Sequence, residues 1–291
     1  MKPPPFEYAL PKTVDEAAEL LSQHGDEAKV LAGGQSLLPL LALRLARPSV
    51  LVDVNRVAGL DQIENDDGVL RVGALVRHAF LQRDAAIARD APLLAKAAPM
   101  IGHFQIRNRG TIGGALAHGD SAAEWPAVAV ALDAELETAK AGGHYRRIPA
   151  ADFFESTFLT ALEPDELLVS VRVPIWGPGS GFAIEELARR SGDFAIAGVL
   201  CGVQIDSGKV ARIAISMLGM ASKPIRGTAV EQQVLGASAD DLEYKELAEA
   251  AIADLDEPPG DIHASSSYRR RIAPILLAKA MKRAVAEAKG E

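Results

Sequence analysis

The sequence predicts a chain of mixed helices and strands in two domains that meet near residue 177. Three observations predict it. The 291 residues are enough for two domains. In the first half, a short aliphatic run ends in a glycine pair at Val30-Leu31-Ala32-Gly33-Gly34-Gln35-Ser36-Leu37, and a second pair follows in Arg109-Gly110-Thr111-Ile112-Gly113-Gly114-Ala115. The segment Trp176-Gly177-Pro178-Gly179-Ser180-Gly181 then reads as a linker, after which two strand patterns precede three helical ones.

The elements follow in order. Thr13 to His24 has helical spacing at Val14, Ala17, Ala18 and Leu21; Thr13 is the N-cap with Glu16 as its capping-box partner, and Gly25 is the stop. Ala28 to Leu31 is a strand, Ser36 to Arg44 a helix interrupted early by Pro39, and Ser49 to Val54 a strand. Gln62 to Glu64 and Val69 to Ala74 form a hairpin around Asn65-Asp66-Asp67-Gly68. His78 to Arg89, Pro92 to Met100 and Ala122 to Leu132 read as helices, the last capped by Asp120 or Ser121. Ala134 to Thr138 begins a strand that turns at Gly142-Gly143, and Glu166 to Pro174 is a strand. Beyond the linker, Ala195 to Ile205 and Ala211 to Leu218 are strands, and Lys223 to Leu235, Asp240 to Leu255 and Tyr268 to Lys289 are helices. They predict a small antiparallel sheet covered by helices.

Glycine pairs remove the Cβ atoms that keep a ligand off the backbone, and they allow positive φ, so successive N–H groups can point into one concavity. Such turns suit the two phosphates of a dinucleotide, and two of them suit one extended ligand held at both ends. Known nucleotide signatures are absent. Neither turn has G-x-G-x-x-G spacing with its acidic follower, and neither ends in the Lys-Ser/Thr of a P-loop. The ordinary NAD and ATP folds are disfavoured, and a different dinucleotide fold stays open.

Composition narrows the classes further. A net charge of −8 argues against nucleic acid, whose phosphates need clustered Lys and Arg. No apolar run is long enough for a transmembrane segment, and the start Met1-Lys2-Pro3-Pro4-Pro5-Phe6 is too rich in proline for a signal peptide. With one cysteine, Cys201, the chain forms no internal disulfide and ligates no iron–sulfur cluster by itself, so it reads as cytoplasmic. The six histidines show no zinc spacing.

Arg107, Arg109, Thr111 and His118 gather near the second glycine pair, either as a solvated loop or as a positive rim for a phosphate or an anionic flavin. Glu124 falls in a first helical turn, as a carboxylate favoured by the helix dipole or as an acceptor for a ribose hydroxyl. Ser36, His118 and Asp120 have no nucleophile elbow to make them a triad. Met217, Met220 and Met281 read as core filler, and Arg269-Arg270-Arg271 as a solvated or partner-facing edge.

Taken together, these segments resemble a known family. The chain is similar to the FAD-binding medium subunits of molybdenum hydroxylases, most of all those of aerobic carbon monoxide dehydrogenase and its xanthine dehydrogenase relatives. The likeness runs from FEYALPKTVDEA (6–17) and AGGQSLLP (32–39) through LVDVN (51–55), VGALVRH (72–78) and QIRNRGTIGG (105–114). It continues in HGDSAAEWP (118–126), PDELLVSVRVP (164–174), RRSGDFAIA (189–197) and YRRRIA (268–273).

The resemblance implies an α+β fold. A two-lobed FAD-binding domain of the vanillyl-alcohol-oxidase type would cover residues 1–176, with lobes of about 1–58 and 59–176. A C-terminal flavoprotein domain with a three-stranded antiparallel sheet and helices would cover 177–291. It implies FAD as cofactor, held by Val30, Leu31, Ala32, Gly33, Gly34, Gln35, Ser36 and Leu37 and by Thr111, Gly113, Gly114 and Ala115. Ile101, Glu124, Leu168 and Phe194 would complete the site, with no catalytic acid or nucleophile and no metal. The implied role is an electron-transferring oxidoreductase subunit. Its partners would be a large molybdenum-cofactor subunit and a small [2Fe–2S] subunit, as a dimer of heterotrimers. Two departures stand out: Glu185-Glu186 where many relatives carry Lys near the flavin, and Phe194 in place of a tyrosine found in some. The alternatives are a self-contained flavin oxidoreductase of the same fold, with His103 or His118 as proton acceptor, and a scaffold that has lost its cofactor.

Overall fold

The computed structural model describes residues 2–253 and 255–291, so Met1 and Asp254 lie outside the described residues. The chain is α+β, built on three sheets and a two-stranded ribbon. In the first sheet Val50–Asp53 lies between Glu7–Ala9 and Ala28–Leu31, all parallel. Parallel neighbours need a crossover, and the helix Val14–His24 covers the sheet with Ala17, Ala18 and Leu21 buried. Thr13 Oγ1 accepts from the Glu16 amide at 3.1 Å as its cap, and Gly25 at φ +51° ends it. The Glu16 carboxylate takes the Lys12 amide at 2.6 Å, one residue before the position a capping box requires.

The second sheet is antiparallel, in the order Ile63–Asp66, Val69–Gly73, Leu167–Pro174, Glu135–Lys140, His144–Pro149. Its central strand is buried along nearly its whole length, so it shows no apolar–polar alternation. The hairpin turns at Asp67 (φ +46°) and Gly68 (φ +84°), the left-handed pair that a two-residue connection demands. The helix expected over His78 to Arg89 is two helices, His78–Leu81 and Ala85–Asp90. Asp84 breaks it, because its carboxylate accepts the Ala86 and Ile87 amides at 2.9 and 3.0 Å and starts a new helix. Glu124–Ala131 is buried on every side. Its cap is Ala123, not Asp120 or Ser121; Asp120 instead accepts the Ala122 amide at 2.9 Å, one turn early.

The third sheet has three long antiparallel strands, Ser180–Leu187, Ala197–Asp206 and Lys209–Leu218, with the two residues Ile225–Arg226 added at its edge. The first of these begins inside the segment that reads as a linker. Trp176 explains why that segment is ordered: it is buried against the Phe182 ring at 5.0 Å, with the Arg212 guanidinium 4.0 Å over its face. One face of the sheet carries Phe182, Ile184, Leu200 and Leu218 into the core shared with the Glu124–Ala131 helix. The other carries Ala183, Cys201 and Val203 against the long helix Ser266–Lys289, together with Met217, Met220 and Met281.

The helices Thr228–Val234 and Tyr244–Ala253 start later than their patterns predict. Of Arg269-Arg270-Arg271, Arg271 is exposed as expected, but the other two turn inward. Arg269 is 4 % exposed and donates to the carbonyls of Ile196 and Gly219 and to Asp261, while Arg270 donates to the carbonyls of Leu255 and Ala253. Strand and helix ends leave carbonyls without partners, and these guanidiniums satisfy them.

Candidate functional site

The first glycine segment leaves the carboxyl end of the parallel strand Ala28–Leu31, where open sheets of this kind place ligands. Gly34 has φ +72°, a left-handed value that favours glycine. Asn55, just past the neighbouring strand Val50–Asp53, donates from Nδ2 to the carbonyls of Ala32 (2.8 Å) and Leu31 (3.4 Å). Asp53 orients it by accepting its amide at 2.9 Å, and Tyr8 donates its hydroxyl to the other oxygen of Asp53. Burial works against the Asp53 charge, but the hydrogen bonds from Tyr8 and Asn55 and the field of Arg109 hold its carboxyl below the usual value. With those carbonyls turned back, the amides of Gly33, Gly34, Gln35 and Ser36 have no acceptor among the described residues. Gln35 and Ser36 are exposed and Leu37 opens a six-residue helix.

The second glycine pair is brought against the first. A Cβ on Gly33 would stand 2.5 Å from the Arg109 carbonyl oxygen and 2.8 Å from Gly110 Cα, and one on Gly114 would stand 3.6 Å from Ala32 Cβ. The second segment is not a turn, however. Gly113 and Gly114 lie in the helix Ile112–His118, capped by Thr111, whose Oγ1 accepts the Gly114 amide at 3.1 Å. Ile112 donates to Val76, Gly113 to Ala74 and Ala115 to Thr111, so every amide from Ile112 to Ala115 is taken by protein. Gly113 is glycine for packing, since its Cβ would stand 2.4 Å from Ala74 Cβ. Gly114 is exposed and Ala115 half-buried, whereas Thr111 and Gly113 are buried.

The remaining expected residues lie at the junction of the second and third sheets. Leu168 sits buried on the central strand at a β-bulge. Ile101 is half-buried, and the loop that carries exposed Phe194 folds back onto the two residues after it: a Cβ on Gly192 would stand 2.7 Å from His103 Nδ1 and 2.9 Å from Gly102. Glu124 is 6 % exposed and none of the hydrogen bonds among the described residues reaches its carboxyl. Burial, with the charge of Glu186 adding to it, pushes its pKa up to about 8. Glu185 and Glu186 point to opposite faces, as strand neighbours must. Glu185 is neutralised by Lys279 at 2.8 Å and by Arg283. Glu186 shares the face of Phe182 and Ile184, its Oε2 is buried without a partner, and burial pushes its pKa up to about 7.

The positive rim is smaller than the sequence predicts. Arg107 is spent on Gln82 and on the carbonyls of Pro99, Ile101 and Gly102. His118 is half-buried against Phe158, and burial lowers its pKa. Thr111 is a cap. Arg109 is exposed, and Arg77, which sequence reasoning passed over, stands beside it. His78, also missed, accepts from Trp125 Nε1 at 3.0 Å and donates its amide to Gly110 at 3.1 Å. Burial and the charges of Arg77 and Arg107 push its imidazole down to about 3, so it stays neutral and ties the Glu124 helix to the back of the second segment. Asn55 and Arg77 both fall inside segments with family resemblance, LVDVN and VGALVRH; a polar residue just beyond a strand end was the available signal.

A family model for the FAD-binding domain in molybdopterin dehydrogenases matches residues 4–176, and one for the C-terminal domain of carbon monoxide dehydrogenase flavoproteins matches residues 182–284. The chain belongs to the FAD subunits of the molybdenum hydroxylases. This FAD subunit is 44 % identical to the alpha subunit of the 6-hydroxypseudooxynicotine dehydrogenase complex of Paenarthrobacter nicotinovorans, over 98 % of its own length and 97 % of that chain. It is 37 % identical to the medium chain of carbon monoxide dehydrogenase from Hydrogenophaga pseudoflava, over 98 % of both. A solved carbon monoxide dehydrogenase from that organism superposes with a TM-score of 0.94 at 38 % identity, covering 98 % of this chain and 99 % of that one. Quinoline 2-oxidoreductase from Pseudomonas putida 86 superposes with a TM-score of 0.92 at 35 % identity, covering 99 % of each. The FAD subunit is thus an oxidoreductase component whose cofactor is FAD. Its residues fit that group: a turn whose four amides have no acceptor among the described residues, with exposed Gly114 near Ala32 and no side chain there, suits a diphosphate. No helix among the described residues is long and apolar enough to cross a membrane.

Proposed function

We propose that this chain relays electrons inside a molybdenum hydroxylase. Electrons released at a molybdenum centre on a large partner subunit travel through [2Fe–2S] clusters on a small one to the FAD held here, and on to an external acceptor. Bound FAD takes up single electrons and delivers pairs, so the reactivity is the cofactor's and the protein supplies position and field. The single observation that carries this reading is the turn Gly33–Ser36, whose four amides have no acceptor among the described residues, and which lies against the second segment at Arg109 and Gly110. These amides hold the diphosphate, and Asn55 keeps the neighbouring carbonyls turned away from it. Val30, Leu31, Ala32 and Leu37 shape the turn, while Thr111 and Gly113 set the second segment from behind. Ile101, Leu168 and Phe194 border the flavin ring between the FAD-binding part, residues 1–176, and the C-terminal part, residues 177–291. Glu124 accepts a hydroxyl or N–H of the cofactor. Lone Cys201 is buried, and burial pushes its thiol up to about 12, so the clusters belong to another chain. The relatives named as subunits of complexes support the same division, with a dimer of heterotrimers in the cytoplasm as the assembly.

The test is purification of the native complex through a tag on this chain. Molybdenum, iron, acid-labile sulfide and FAD are expected together, with the flavin band bleaching after the cluster bands when substrate is added. A lone flavin-loaded chain that turns over an organic substrate would favour the self-contained oxidoreductase instead.

A further inference from the structure

Arg77 touches both glycine segments at once. Its backbone pairs with Thr111 in an isolated antiparallel bridge. One guanidinium nitrogen donates to the carbonyl of Arg109, the atom that a Cβ on Gly33 would meet first. The other donates at 2.6 Å to Asn55 Oδ1, and Asn55 passes the grip to the carbonyls of Ala32 and Leu31. Asp53 and Tyr8 complete the chain of bonds, which therefore runs from the first parallel strand to the start of the second glycine segment.

We propose that Arg77 is a positioning residue that locks the two glycine segments into one cradle, with Asn55 as its relay to the first. This rests on the reading that Gly33–Ser36 hold the FAD diphosphate. The chemistry requires arginine: a planar fork meets two acceptors on different segments, which the single ammonium of lysine cannot do. Without the fork, the Arg109 carbonyl and the Asn55 amide oxygen lose their donor. Asn55 is then held by Asp53 alone, its grip on the carbonyls of Leu31 and Ala32 loosens, and their dipoles can swing toward the place the diphosphate occupies. Arg77 acts through these groups, and its charge beside Arg109 adds to the field that favours an anion.

The test compares Arg77→Met, Arg77→Lys and Asn55→Leu with the wild-type chain. ADP and FAD dissociation constants are measured by calorimetry, and backbone amide exchange of the cofactor-free protein by mass spectrometry. R77M is expected to weaken ADP and FAD alike by about tenfold or more and to speed exchange both in 38–40, where the Leu38 and Leu40 amides are bonded to the carbonyls of Gly34 and Ser36, and in 109–115. R77K is expected to recover part of the affinity, because it restores one bond. N55L is expected to speed exchange in 38–40 only. ADP affinity within twofold of wild type in R77M, or faster exchange confined to one segment, would overturn the brace. If the wild-type chain binds neither FAD nor ADP, the functional reading fails, and the exchange measurements alone decide on the brace. Should R77M not fold, R77K and N55L carry the same comparison.

Discussion

Gly33-Gly34 and Gly113-Gly114 look alike as letters and differ in what surrounds their amides. Around the first pair the amides of four successive residues have no acceptor among the described residues, and Asn55 holds the two preceding carbonyls. Around the second pair every amide is spent on Thr111, Ala74 or Val76. In the first pair, Gly34 is glycine so that the backbone can turn at φ +72°, and Gly33 because Arg109 and Gly110 close against it. The second is glycine so that a helix can start hard against Ala74 and beside Ala32. Glycine marks close approach to protein in both places, but only the first pair leaves its amides without a protein acceptor among the described residues.

That contrast can be pressed by substitution. The largest effect is expected for Gly33→Val, whose side chain would start 2.5 Å from the Arg109 carbonyl and force the two segments apart. The purified chain should carry essentially no flavin by visible absorption. Gly113→Ala comes next and acts on stability. Its methyl would stand 2.4 Å from Ala74 Cβ, an overpacking cost of about 1–3 kcal/mol. The cofactor-free melting temperature should drop by roughly 2–10 °C, and well-folded molecules at low temperature should still take up FAD.

The junction beside the segments responds to pH. The Glu124 carboxyl titrates near 8 when folded, against an ordinary 4.5, so the folded state holds that proton more tightly than the unfolded one. Its favourable contribution is complete below 4.5 and is lost as pH rises through 8. Glu124→Gln should therefore melt higher than wild type at pH 9, by on the order of 3 °C or more in the cofactor-free protein, and match it at pH 4.5. The imidazole of His78 has the opposite dependence. Depressed to about 3, it costs stability as pH falls below 6.5, so acid unfolding should begin earlier in wild type than in a His78→Gln variant. The smallest effect belongs to Thr111→Val, which removes a helix cap worth about 1 kcal/mol. It should lower the melting temperature by about 2–4 °C with FAD affinity within twofold.

The first glycine segment was legible in the sequence because its signals are local: a short aliphatic strand, then glycine with polar residues. The capped helix after Thr13 and the Asp67-Gly68 hairpin were legible for the same reason. The second segment was misread as a turn, since nothing local says that Thr111 caps a helix containing two glycines. The break at Asp84 was hidden by continuous helical spacing. Ser180–Leu187 was masked by the glycines before it, whose order depends on Trp176 packing under Arg212, a contact between distant residues. Arg77, Asn55 and the opposite fates of Glu185 and Glu186 depend on which elements meet across the fold, which no window of residues contains.

The asymmetry between the glycine pairs can be tested directly by a two-dimensional amide NMR titration of the cofactor-free chain with ADP. The amide signals of Gly33, Gly34, Gln35 and Ser36 should move furthest, while those of Gly113 and Ala115, already bonded to protein, should scarcely shift. Large shifts at Gly113 and Ala115 with the first segment unmoved would contradict the account.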